Sequence, residues 1–169
     1  QYWRSDSAAK YLMQVQQSAD IFERLEQYTA VYLSGISIAI LPEPDRQLML
    51  DSLKKLKATG VKIIFDSNYR PLLWGSIEHT KICFKALYAL SDLLLVTFED
   101  EQSVWDDKDT QTMIARLSKG TPAEIVVKLG AEGCDYYSNK NESDAIEHIP
   151  TQLVERCLLY TSDAADEED

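Results

Sequence analysis

Short apolar runs alternate with longer segments of helical periodicity along most of the chain. The runs are Ala30 to Leu33, Val61 to Phe65, Leu93 to Val96 and Glu124 to Val127. Each is brief, rich in strand formers and closed by polar or turn-forming residues, as buried parallel strands are. Between them the apolar positions fall at helical spacing. Ala8, Leu12, Val15, Ala19, Phe22 and Leu25 predict a helix that the Gln-Gln-Ser-Ala stretch can split in two. Leu48, Leu50, Leu53 and Leu56 predict a second helix, capped at its carboxyl end by Gly60. Further helices are predicted over Ile77 to Leu90 and Gln111 to Leu117. Cys134 to Ser138 reads as the return strand of a hairpin, and Ala145 to Ile149 as a last short strand. This alternation predicts an α/β fold, a mostly parallel sheet with helices on both faces.

A parallel sheet gathers the carboxyl ends of its strands on one edge, where ligands bind. Here those ends are Ser34-Gly35-Ile36, Asp66-Ser67-Asn68-Tyr69-Arg70, Thr97 to Glu101, and Lys128 to Gly130. Each has two readings by itself. Gly35 either lets backbone approach a ligand or makes a tight packing turn. The acids after Thr97 either hold a hydrated cation or complement a helix dipole, and the latter suits Glu99 and Asp100. Lys128 with Gly130 and Gly133 makes either a phosphate-approaching turn or a hairpin. Together the four ends predict a cleft holding Arg70, Lys128, Asp66 and Glu101, suited to an anionic substrate handled with a metal.

The chain has 169 residues, enough for one domain, and a formal charge of -11, which argues against a nucleic-acid partner. No apolar run is long enough to span a membrane. Cys83, Cys134 and Cys157 are odd in number and far apart, which predicts a reducing, cytoplasmic setting rather than a disulfide framework. Residues 163–169 hold five acids and no base. His79 and His148 are isolated and read as structural or exposed. Tyr2-Trp3-Arg4 is an unusual aromatic and basic cluster near the start, and the chain opens on Gln1 rather than Met, as a fragment or a processed product would.

Tyr2-Trp3-Arg4, Tyr32-Leu33-Ser34-Gly35-Ile36, Phe65 to Pro71 with Trp74, Thr97 to Glu101, and Val127-Lys128-Leu129-Gly130 resemble the ribokinase (PfkB) family of sugar kinases. The resemblance runs in order from Gln1 to about Val154, and the Tyr-Trp-Arg and Asn-Tyr-Arg-Pro elements are similar to the ketodeoxygluconate branch. It implies a ribokinase-like fold, ATP and magnesium as cofactors, and a sugar-acid substrate. It implies that Tyr2, Arg4 and Ile36 contact the sugar acid, with Arg4 near its carboxylate. Arg70 would sit between sugar and transferred phosphate and stabilise charge there. Asn68, Lys128 and Gly130 would face the nucleotide phosphates, and Glu101 would organise magnesium through water. Phe98 stands where the family usually has Asn.

The resemblance also implies what lies elsewhere. Family members are longer at both ends, and their amino-terminal lid often forms a dimer contact. Residues 1–156 would be the central part of the kinase domain. The family's Gly-Ala-Gly-Asp element, whose Asp is the catalytic base, is expected shortly after Val154, yet no Gly follows Gly133. Residues 157–169 read as a non-native or disordered acidic tail, and the chain as inactive by itself. A fructokinase- or ribokinase-type kinase and a non-catalytic nucleotide- or sugar-binding module are the other readings.

Overall fold

The computed structural model describes residues 8–121, 123–139 and 145–152. Six strands form one sheet in sequential order: β1 (Ala30–Ser34), β2 (Lys62–Asp66), β3 (Leu93–Thr97), β4 (Glu124–Lys128), β5 (Cys134–Tyr137) and β6 (Glu147–Ile149). The first four strands are parallel; β5 runs antiparallel to β4, as the hairpin reading of Lys128 to Ser138 requires, and β6 runs antiparallel to β5. Both glycines of the hairpin, Gly130 and Gly133, have positive φ, at 60° and 104°. A side chain at Gly133 would strike the backbone of Ile149 and Thr151, so this glycine also lets β6 close on the turn.

The predicted amino-terminal helix is divided as its sequence suggests. A 3₁₀ segment, Ala8–Gln14, precedes α1 (Ser18–Leu25). A short helix α2 (Gly35–Ala39) follows β1, and α3 (Glu43–Ala58) leads into β2. Helix α4 (Ile77–Leu90) follows the β2 loop, capped by Ser76, whose hydroxyl accepts from the His79 amide. Helices α5 (Phe98–Trp105) and α6 (Thr110–Gly120) connect β3 to β4. Asp109 caps α6 by accepting from the Thr112 amide at 2.7 Å.

Each parallel crossover advances by one strand, so right-handed connections carry α3, α4 and the α5–α6 pair to the same face. Burial records this. Leu33, Ile63, Phe65, Leu94, Val96, Ile125, Val127 and Tyr137 alternate along the strands and are all buried. They pack with Leu53, Leu56, Leu87, Met113 and Leu117 of the helix layer. Phe65, Phe84 and Tyr88 stack at tilted or edge-on angles in its centre, with centroids 5.5 to 6.0 Å apart. The intervening strand residues Tyr32, Ile64, Leu95, Val126 and Tyr136 point the other way and are only partly covered or exposed. The expectation of helices on both faces is therefore met on one face among the described residues. Among the described residues no helix covers the second face, which carries apolar side chains.

Candidate active site

The second face ends in charge. Asp66 closes β2, and one of its carboxylate oxygens accepts from Lys128 Nζ at 2.8 Å while the other accepts from the Tyr32 hydroxyl at 3.1 Å. Lys128 closes β4, so its side chain crosses the whole of β3 to reach Asp66. Two strand spacings are about 10 Å, a gap closed by the long Lys128 side chain and that of Asp66 together. Burial first, and then the Asp66 charge, push the Tyr32 phenol above its ordinary pKa. The carboxylate of Asp66, at the end of β2, thus joins the middle of β1 to the end of β4.

Beyond Asp66 the chain leaves the sheet by a fixed route. The Ser67 amide donates to the Leu95 carbonyl at 3.0 Å. Asn68 has φ of 30°, in the left-handed region that a non-glycine residue enters at a cost. Tyr69 turns its ring into the core, edge-on to Phe84 at 6.3 Å. Arg70 is exposed and donates from Nη1 to the Tyr69 carbonyl at 2.8 Å. Pro71 then ends any strand character and opens a short 3₁₀ turn.

The first turn of α5 sends its acids in different directions, as 100° per residue demands. Asp100 turns to the β2 loop and accepts from the Tyr69 amide at 3.0 Å. Burial raises its pKa, the Tyr69 amide, Arg70 and Lys128 lower it, and Asp66 raises it; the outcome is a carboxyl above the ordinary Asp value. Glu101 turns the opposite way. It is fully buried, accepting from the Tyr88 hydroxyl at 2.5 Å and from Arg116 at 2.8 Å. Arg116 also pairs with Asp107 at 2.6 Å and lies over the Trp105 ring. Burial outweighs these partners and holds Glu101 above the ordinary Glu pKa.

Glu101, expected near a metal in the cleft, pairs with Tyr88 of α4 and Arg116 of α6. Asp100, expected to be an ordinary helix-start acid, is the one that meets the loop. The spacing of Phe98, Glu101, Val104 and Trp105 marks the inward stripe of α5, and this signal places Glu101 inside.

The other expected residues are placed as follows. Gly35 opens α2, and a β-carbon there would collide with the Ser67 carbonyl; close packing of β1 on the β2 loop requires the glycine. Ile36 follows in the first turn of α2, partly buried, two residues beyond Ser34, whose register partner is Asp66. Gly130 lies just past Lys128 with positive φ and open space around it. Tyr2 and Arg4 lie outside the described residues, as does the acidic tail. Sequence reasoning assigned no contact to Tyr32, whose hydroxyl reaches Asp66.

The sequence profile described as "pfkB family carbohydrate kinase" matches residues 2–155. The chain belongs to the pfkB family. Among its relatives, the 2-dehydro-3-deoxygluconokinase of Haemophilus influenzae is 39% identical over 165 residues, covering 98% of this chain and 52% of that protein. The Escherichia coli K12 protein of the same name is 41% identical over 133 residues, covering 79% of this chain and 43% of that protein. The chain spans about half the length of the curated relatives it matches. A PfkB protein from Polaromonas sp. JS666 superposes with a TM-score of 0.73 at 22% identity, covering 91% of this chain and 50% of that one. The aminoimidazole riboside kinase of Salmonella enterica, solved with aminoimidazole riboside and an ATP analog, gives 0.65 at 22% identity, covering 76% and 41%. These structures establish the ribokinase-like fold of this pfkB chain.

Proposed function

We propose that this chain carries the nucleotide-phosphate half of the active site of a 2-keto-3-deoxygluconate kinase. The supporting observation is the joining of the ends of β2 and β4 by Asp66 and Lys128, with Tyr32 of β1 on the same carboxylate and Asn68 and Arg70 following Asp66 in the chain. In the reaction proposed, the γ-phosphoryl group leaves ADP and bonds to a terminal hydroxyl oxygen of the sugar acid, and the hydroxyl proton passes to a base. Such transfer needs positioning and charge stabilisation above all.

Arg70 suits the transferred group. Its guanidinium is exposed and makes one internal hydrogen bond among the described residues, leaving donors for a bidentate grip. Lys128 supplies a point charge for the nucleotide phosphates, and the positive φ of Gly130 directs backbone in the same turn. Asn68 faces those phosphates from the left-handed bend. Ile36 lines the sugar pocket, and Tyr2 and Arg4 hold the sugar acid, Arg4 at its carboxylate. The names of the curated relatives support that choice of substrate.

Magnesium fits the acids present. Among the described residues no group of three or more His, Cys, Asp or Glu side chains is disposed to hold a metal unaided. Magnesium asks for less, being held through one or two carboxylates, waters and substrate phosphates. Asp66 and Asp100 are the two carboxylates at the cluster. When bound, the ion neutralises phosphate charge. The base is assigned to no residue here, so we expect binding of ATP without turnover by the chain alone.

Calorimetric titration with ATP-magnesium and, separately, with 2-keto-3-deoxygluconate tests this reading. Saturable binding of both supports it, while a preference for fructose or ribose over the sugar acid would favour another branch of the family. Turnover of the sugar acid by this chain would show that the base is present after all.

A further inference from the structure

We infer that Asp100 is a positioning residue, whose carboxylate grips the Tyr69 amide and so holds Asn68 and Arg70 in their working conformation. The inference rests on the function proposed above only for its effect on ligand binding.

The loop 67–70 must do two unfavourable things. Asn68 must keep φ at 30°, a conformation that costs on the order of 1 to 3 kcal/mol and persists only where its surroundings enforce it. Tyr69 must bury its ring while its backbone leaves the sheet, which strips the amide of any ladder partner. Asp100 answers both needs with one bond of 3.0 Å to the Tyr69 amide, strengthened by its charge. The Tyr69 carbonyl is taken by Arg70 at 2.8 Å. Tyr69 is thus held at its N–H by α5, at its C=O by Arg70 and at its ring by Phe84. Asn68 lies between this clamp and the Ser67 amide, itself bonded to Leu95. With both neighbours fixed, Asn68 has little freedom to relax.

The other acids of the turn do not share the task. Glu101 is committed to Tyr88 and Arg116, and Glu99 lines a separate recess with Lys108 and Glu132. The latch also couples two β–α units, because the loop follows β2 whereas Asp100 follows β3. Loss of the latch would free the loop without touching the sheet beneath it.

Amide hydrogen exchange by NMR on the whole chain is the test. In the unsubstituted protein the Tyr69 amide should exchange at least about tenfold more slowly than the amides of Asn68 and Arg70, the protection expected of one charge-assisted hydrogen bond. Equal rates at the three amides would overturn the inference without any variant. Asp100→Ala should erase the Tyr69 protection while leaving Phe65 and Leu95 protected, and Asp100→Asn, which keeps an acceptor oxygen, should restore most of it. Unchanged Tyr69 exchange in Asp100→Ala, or equal acceleration at Phe65, would also refute the latch. In calorimetry Asp100→Ala should weaken magnesium-free ATP about tenfold and Asp100→Asn, which keeps the acceptor, far less. If the unsubstituted chain binds no ATP, the functional reading fails while Tyr69 exchange still decides the latch.

Discussion

Lys128 Nζ lies 2.8 Å from Asp66, although a whole strand separates the two residues in the sheet. The pair is a placement device more than a source of stability. Lys128 retains 41% of its side-chain exposure, so water screens the interaction. Replacement of Lys128 by Met should change unfolding free energy by about 1 kcal/mol or less, measured by urea denaturation. A loss of several kcal/mol would mean that the pair is a structural brace.

Glu101 is the opposite case. It is fully buried, and its removal leaves the Tyr88 hydroxyl without its acceptor and Arg116 with only Asp107. Glu101→Ala should destabilise the fold by about 3 to 5 kcal/mol, the range for breaking a buried pair on one side. Its effect on ATP-magnesium affinity should be small in whatever fraction stays folded. A stable variant that has lost its dependence on magnesium would return Glu101 to the metal.

The same residue gives the fold a pH dependence. Burial raises the folded pKa of Glu101 above 4.5, so the native state holds its proton more readily than the unfolded chain does. Its contribution to stability is greatest below 4.5 and falls as pH rises through the folded value. Asp100 acts in the same direction from its ordinary 3.8. Urea midpoints across this range should therefore fall less steeply with pH in Glu101→Gln than in the unsubstituted protein; parallel curves would refute the assignment.

Much of this was legible in the sequence, and the exceptions have physical causes. The strands and the long helices follow from apolar runs and periodicity, and the helix expected over roughly Ile77 to Leu90 spans those residues. Gathering of strand ends followed from parallel order alone. What local pattern does not encode is the direction of a side chain within a helix turn that contains three consecutive acids. Asp100 and Glu101 differ in role because one faces the β2 loop and the other faces α4 and α6. The reach of Tyr32 to Asp66 likewise depends on register, which only pairing fixes. That no described helix covers the second face was hidden because a parallel strand reads as apolar throughout, whatever covers it.

Gly35 offers a sharp check on packing. A methyl group there meets the Ser67 carbonyl, part of the backbone, so nothing small can move aside. Gly35→Ala should cost about 1 to 3 kcal/mol, as overpacking does. Gly75→Ala, where a methyl meets open space, should stay within about 0.5 kcal/mol. Thermal melts of the two variants compare them directly, and equal melting temperatures would show that β1 does not press on the loop.

The central claim is that the joined strand ends receive nucleotide phosphates. Titration calorimetry of ATP-magnesium into this chain and into Lys128→Met tests it most directly. The account predicts saturable binding that weakens at least about tenfold on loss of the Lys128 charge, with the fold intact by circular dichroism. No binding, or equal binding by both proteins, would contradict it.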